Sequence, residues 1–268
     1  MVYEPGPDTA GERGVRLVCF AHAGAGTSAF HRWDTLLAGA AVPEARPLPG
    51  RGARRREPRV TTRQALLTDL RDLLPPGPSG PYVLYGHSLG GLIAYTLTRA
   101  LHAAGLPLPA LLAVGACPPP GDPGELISAA EAPDHELLRV LEKFEAVPGD
   151  TVPGDLWHRL VLPVLRDDLR LAADLRAACL DPATGGPVPV PLLAVGGSTD
   201  ALVPPETMRG WQAFTDGRFV HRTLPGGHFF VRDGDLPRLL GRACRIVGRA
   251  GVKDTARPRG PHRRDGRR

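Results

Sequence analysis

Ser88 sits at the centre of Gly86-His87-Ser88-Leu89-Gly90, between the apolar run "PYVLYG" and the helix-patterned run "LIAYTLTRALHAAG". A serine hydroxyl becomes a nucleophile only when a base takes its proton and an acid orients that base. A tight strand-to-helix turn would lift such a serine clear of a sheet, and glycines two residues away on either side leave room for strand and helix to approach. The helix that follows aims its N-terminus at the hydroxyl, which favours negative charge developing there. Five serines and 33 glycines in 268 residues give about 0.08 chance matches to G-x-S-x-G, so the strand-then-helix context carries the assignment.

Where the nucleophile stands on such a turn, its partners follow in the order acid, then histidine. Of nine histidines, His221 and His228 follow Ser88 near predicted strand ends. His228 lies in "PGGHFF", a glycine-opened loop after the last predicted strand, and is the expected base. His221 falls inside a strand pattern and reads as structural, while His87 reads as packing beneath the turn. Asp200 follows "PLLAVGG" by three residues at the edge where Ser88 emerges, and is the expected acid. Asp181 precedes its strand and Asp216 comes ahead of the last one, both at the opposite edge. Two backbone N–H groups must also face the oxyanion. Leu89 is one, and Ala23 in "FAHAGAGTS" is the other, with Gly24 and Ala25 as neighbours able to replace it.

The elements that must position these residues can be read from periodicity. Strand-like runs lie at 15–20, 82–86, 110–116, 190–197 and 218–224, and the middle three are nearly continuously apolar, as in a parallel sheet covered on both faces. Helical patterns at 61–74, 90–104, 204–214 and 235–248 alternate with them, and Thr61 or Thr62 is placed to cap the first. The class is α/β, with a mostly parallel central sheet and helices on both faces. Residues 118–180 hold helical pieces but no strand. They read as an insertion over the sheet's C-terminal edge, where ligands bind in open α/β folds.

Two further properties bound the function. The net charge of +5 comes from residues 249–268, which carry +6 and leave about −1 on the rest. That Arg-, Pro- and Gly-rich tail is expected to be disordered, and residues 1–248 to form one domain. A basic arm of this kind also suits nucleic acid or an acidic partner, but the solvated reading is preferred and no nucleic-acid partner is expected. Cys19, Cys117, Cys179 and Cys244 are widely spaced within apolar runs, as buried reduced thiols are. With no signal-like start and no apolar stretch of membrane-spanning length, a cytoplasmic, monomeric protein without a membrane partner is expected. Gly24-x-Gly26-x-x-Ala29 matches a dinucleotide fingerprint, but Glu44 is poorly placed as its acidic residue. No cofactor and no metal are expected.

Taken together, "VCFAHAGAG" with Phe30 and Trp33, "LPGRGARRRE", "YGHSLGG", "LPVLRDDLRL", "GGSTDALVPPE" with Trp211, and "PGGHFF" resemble the type II thioesterases of polyketide and nonribosomal peptide synthesis, within the α/β-hydrolase superfamily. The likeness runs from Leu17 to Val231. It implies an α/β-hydrolase fold, a helical lid at 118–180, and a triad at Ser88, Asp200 and His228. It also implies hydrolysis of acyl thioesters from the phosphopantetheine arm of an acyl or peptidyl carrier, clearing stalled or aberrant groups. A carboxylesterase or a lactone-forming acyl transferase with the same triad is the alternative, and a noncatalytic binding protein on the same fold is a third reading. The chain departs from the family at Leu89, usually methionine, at Gly91, often alanine, and at Ala21 and Gly24-Ala25, commonly a proline and a glycine pair. The implied carrier is acidic. Arg51, Arg54, Arg55 and Arg56 are candidates to meet it, although the same run also reads as a solvated loop.

Overall fold

Apolar runs become the strands β1 (Val15–Phe20), β3 (Tyr82–His87), β4 (Leu111–Gly115) and β5 (Leu192–Gly197), and two segments of more polar sequence form β2 (Ala41–Ala45) and β6 (Phe219–Leu224). They form one parallel sheet in the order β2-β1-β3-β4-β5-β6. The computed structural model describes residues 14–73, 80–122, 124–143 and 156–255. Every residue of β3 and β5 is buried, which explains their unbroken hydrophobicity, whereas β6 at an edge is largely accessible.

Alternate strand residues divide the core. Val18, Phe20, Leu84 and Val114 pack on one face and Leu17, Cys19, Val83 and Ala113 on the other. The first face is covered by α2 (Arg63–Asp69), α3 (Leu89–Ala103) and the C-terminal half of α7 (Leu162–Leu180), the second by α1 (Trp33–Leu36) and α8 (Asp235–Thr255). Thr62, rather than Thr61, caps α2: its Oγ1 accepts the Ala65 N–H at 3.3 Å. The four cysteines are buried and unpaired, and burial raises the pKa of each thiol. Among the described residues no helix is long and apolar enough to cross a membrane.

Three elements differ from the sequence reading. β2 carries Pro43 and has a single buried residue, so it shows no apolar run; as an edge strand it tolerates a proline. Pro205–Phe214 is a 3-10 stretch, not an α-helix, held by the Trp211 indole N–H donating to the Cys117 carbonyl at 2.6 Å. α8 runs on to Thr255, beyond Gly248, where the sequence pattern places its end. Residues 256–268, the rest of the expected tail, lie outside the described residues.

The stretch between β4 and β5 contains α4 (Glu125–Ser128), α5 (Asp134–Lys143), α6 (Leu156–Leu160) and α7. Leu137, Leu141, Leu162, Leu165 and Leu169 build a small core of their own there. Leu171, Leu175 and Cys179, further along α7, belong to the main core instead. One helix thus ties the insertion to the sheet, and its buried face passes from one core to the other.

Candidate active site

The turn from β3 to α3 holds Ser88 at φ 54° and ψ −119°, a backbone state that side chains rarely adopt. It persists because the surroundings leave no alternative: the Ser88 N–H donates to the Gly115 carbonyl at 2.8 Å, and the Ser88 carbonyl accepts the Gly91 N–H at 2.8 Å. A Cβ at Gly86 would overlap the Gly90 carbonyl, and one at Gly90 would overlap the Phe20 carbonyl at the end of β1. Gly90→Ala must therefore push β1 away from α3. We expect a loss of about 3 kcal/mol in urea unfolding together with most of the activity; an unchanged midpoint would show that the approach is not required. Gly91, where the family often carries alanine, faces Cys117, whose Cβ would stand 2.7 Å from an added methyl group. Cys117 fills the space that the alanine would need.

Asp200 follows β5 and His228 lies in the loop after β6. The His228 Nδ1–H donates to Asp200 Oδ2 at 3.0 Å, with Oδ1 at 3.2 Å, and the two side chains are 8% and 0% exposed. Asp200 Oδ1 also accepts the backbone N–H groups of Leu202 and Val203 at 3.0 and 2.9 Å. With Nδ1 engaged as a donor, Nε2 of a neutral ring is left as an acceptor. His228, Ser88 and Ala23 line one cavity of about 570 Å3, walled from the insertion by Leu126, Leu141 and Leu165. Among the described residues Ser88 Oγ makes no hydrogen bond within the protein. His221, the alternative base, stays on β6 beside Ala194 of β5 and does not line the cavity. Asp181 ends α7, where it accepts the Ala183 N–H, and Asp216 precedes β6; neither lines the cavity.

His87 has a larger part than packing. The Tyr85 hydroxyl donates to His87 Nδ1 at 2.8 Å, and His87 Nε2–H donates to the His228 backbone carbonyl at 2.8 Å. This buried relay anchors the β6 loop to the floor of the turn, a role that spacing alone could not reveal. Burial, then the neighbouring His228, pushes the His87 pKa well below its ordinary value; the same two causes bring His22 down to about 3. Both rings are neutral in the fold, whereas the unfolded chain protonates them near pH 6.5. The unfolded state therefore binds more protons below that pH, so this contribution is complete above about pH 6.5 and drains away on acidification. Urea midpoints should fall between about pH 7 and about pH 4.5, and His22→Leu should flatten the fall. A parallel fall in the variant would remove His22 as a cause.

The loop after β1 is held from the insertion. Asp168 on α7, 1% exposed, accepts the Gly24 N–H at 2.7 Å and binds Arg51 through both oxygens, at 2.5 and 2.7 Å. Arg51 also donates to the Ala25 carbonyl at 3.0 Å. The Ala25 N–H closes a turn onto the His22 carbonyl. Of the three amides weighed as oxyanion donors in this loop, Ala23 alone has no hydrogen bond among the described residues. Leu89, the first residue of α3, carries one of the amides that a helix cannot satisfy internally.

This arrangement removes Arg51 from the candidates for meeting an acidic partner. Arg54 is likewise taken by Glu57 and Asp69, while Arg55 and Arg56 are exposed. Glu44, weighed as the acidic residue of a dinucleotide site, is bound by Arg16 at 2.7 and 3.0 Å.

Comparison with known proteins identifies the family of the chain. Residues 15–246 match the model of the Thioesterase domain family. The chain is 33% identical over 218 residues to the AMB antimetabolite synthetase AmbE of Pseudomonas aeruginosa, covering 81% of this chain and 10% of AmbE. It therefore spans about a tenth of that relative's length. Among solved structures, RedJ, a thioesterase from the prodiginine biosynthetic pathway of Streptomyces coelicolor, superposes with a TM-score of 0.73 at 30% identity, covering 90% of this chain and 96% of RedJ. BorB, the type II thioesterase from the borrelidin biosynthetic cluster, superposes at 0.71 and 29% identity, covering 90% and 96%. The chain belongs to the Thioesterase domain family, built on the α/β-hydrolase fold.

Proposed function

We propose that this protein hydrolyses acyl thioesters from the phosphopantetheine arm of an acyl or peptidyl carrier, releasing stalled or aberrant acyl groups during polyketide or nonribosomal peptide synthesis. The observation that carries the reading is His228, bonded to Asp200 through Nδ1 and lining the same cavity as Ser88. In this reading Ser88 Oγ attacks the thioester carbonyl while His228 Nε2 takes its proton. The tetrahedral oxyanion is held by the amides of Ala23 and Leu89 and collapses with loss of the arm's thiolate, which receives that proton. Water then repeats the attack on the acyl-enzyme, regenerating Ser88 and freeing the acid. Asp200 fixes the ring and stabilises the imidazolium. In this reading Ser88 Oγ, which makes no hydrogen bond among the described residues, meets His228 Nε2 when substrate binds, since catalytic hydrogen bonds often close only in the substrate complex. The helical insertion acts as the lid that borders the acyl group.

Intact mass of a panel of acylated carriers, before and after exposure to the protein, tests the reading directly. We expect loss of the acyl mass with the arm retained. Oxygen esters hydrolysed as fast as the acyl-carrier would favour the carboxylesterase instead, and internal esters as the main product would favour the lactone-forming transferase.

A further inference from the structure

Arg232 belongs to two surfaces at once. It lines the catalytic cavity beside His228, with its guanidinium carbon 4.9 Å from the centre of the Phe229 ring. It also lines a neighbouring cleft of about 540 Å3 with His31, Arg32 and Arg238. Arg238 in turn lines a third cleft, of about 440 Å3, between α1 and α8, with Arg242 and Arg245. Shared lining residues thus set the three concavities side by side, in a row or trough from the catalytic cavity to the outer face of α8. Among the described residues no carboxylate lines either outer cleft.

Elsewhere several arginines are neutralised: Arg16, Arg51, Arg54, Arg59, Arg166 and Arg170 each bind a carboxylate, while Arg55 and Arg56 stay exposed on a loop segment that lines neither the catalytic cavity nor the two clefts. Along the trough, among the described residues, only Arg238 binds a carboxylate, loosely, that of Asp235 at 3.4 Å with both side chains more than half exposed. Arg32, Arg232, Arg242 and Arg245 are exposed and have no carboxylate partner among the described residues. Asp34, Asp233 and Asp235 stand on the same segments and temper the field without lining the clefts. The pattern is written into α8, where Leu236, Leu240 and Cys244 are buried while Arg238, Arg242 and Arg245 face solvent. On a body whose charge before Arg249 is about −1, unpaired cations in concave walls concentrate positive potential on one side.

We infer that this trough is the landing surface for the acidic face of the carrier protein, an inference that rests on the proposed function. A carrier must keep its own body outside the enzyme while its tethered thioester reaches Ser88, and the trough joins those two places through Arg232. Docking there depends on long-range attraction, so it acts on productive encounter and leaves the chemistry at Ser88 alone.

The test is the double reversal Arg238→Glu with Arg242→Glu, at two exposed positions outside the catalytic groups. We expect kcat/KM on acyl-carrier to fall about tenfold or more, through KM, and to lose most of its dependence on salt. Acyl-pantetheine, which has no carrier body, should be hydrolysed within about twofold of the unaltered rate, which also reports that the variant is folded. Unchanged carrier kinetics would overturn the docking surface, including the case in which the variant loses retention on immobilised DNA instead. An equal loss on both substrates would overturn it too, placing the defect in the active site. If the unaltered protein turned over acyl-pantetheine but not the carrier, the surface would fall and the hydrolase would stand; turnover of neither would remove the thioesterase reading itself.

Discussion

Ser88→Ala is expected to lower thioester turnover by about 10^4-fold or more, because the turn then presents no hydroxyl for the base to activate. Folding should survive. Ala demands the same backbone state as Ser, so thermal unfolding should stay within a degree or two of the original. Ser88→Gly sharpens the test. The residue sits at φ 54°, where glycine carries no penalty, and relief of about 1–3 kcal/mol of local strain should make that inactive variant more stable than the parent. Asp200→Asn should also cost about 10^4-fold in kcat, since an amide can no longer hold His228 with its proton on Nδ1. Intact-mass measurement on acyl-carrier reads the activity and calorimetry reads the fold. Turnover by Ser88→Ala at the parent rate would end the serine mechanism whatever the fold did.

The second large effect is expected at the Arg51–Asp168 pair, where three segments meet: the β2–α2 connection, the loop after β1 and α7. Asp168→Ala strands a guanidinium that is 9% exposed and leaves the Gly24 N–H without its acceptor. Leaving one member of a buried ion pair unpartnered costs about 3–5 kcal/mol, so the urea midpoint should drop sharply. Replacing both members with apolar residues, Arg51→Met with Asp168→Leu, should recover much of that loss, because no buried charge is then left alone. Activity should not recover with stability, since nothing then fixes the loop that carries Ala23. An Asp168→Ala protein that unfolds at the parent urea midpoint would show that the pair contributes nothing, and full activity in the double variant would show that the loop holds its own shape.

The parts of this protein that are local in sequence were legible without coordinates. The glycine pattern around Ser88 specifies a turn that only small neighbours can fill, and the unbroken apolar runs of β3, β4 and β5 mark strands buried on both faces. The order Ser88, Asp200, His228 follows from that architecture, because residues just past successive parallel strands emerge at one edge. What stayed illegible was decided by partners far apart in the chain. β2 is a strand only because β1 lies beside it; its own sequence, with Pro43, argues for nothing. Arg51 and Arg54 looked like solvated or docking charges, yet carboxylates 117 and 15 residues away claim them. His87 looked like packing until the fold brought the His228 carbonyl to its Nε2, 141 residues along the chain. Periodicity reports which face of an element meets apolar surroundings, whereas the pairing of a polar atom depends on where a distant backbone arrives, which only the assembled tertiary structure determines.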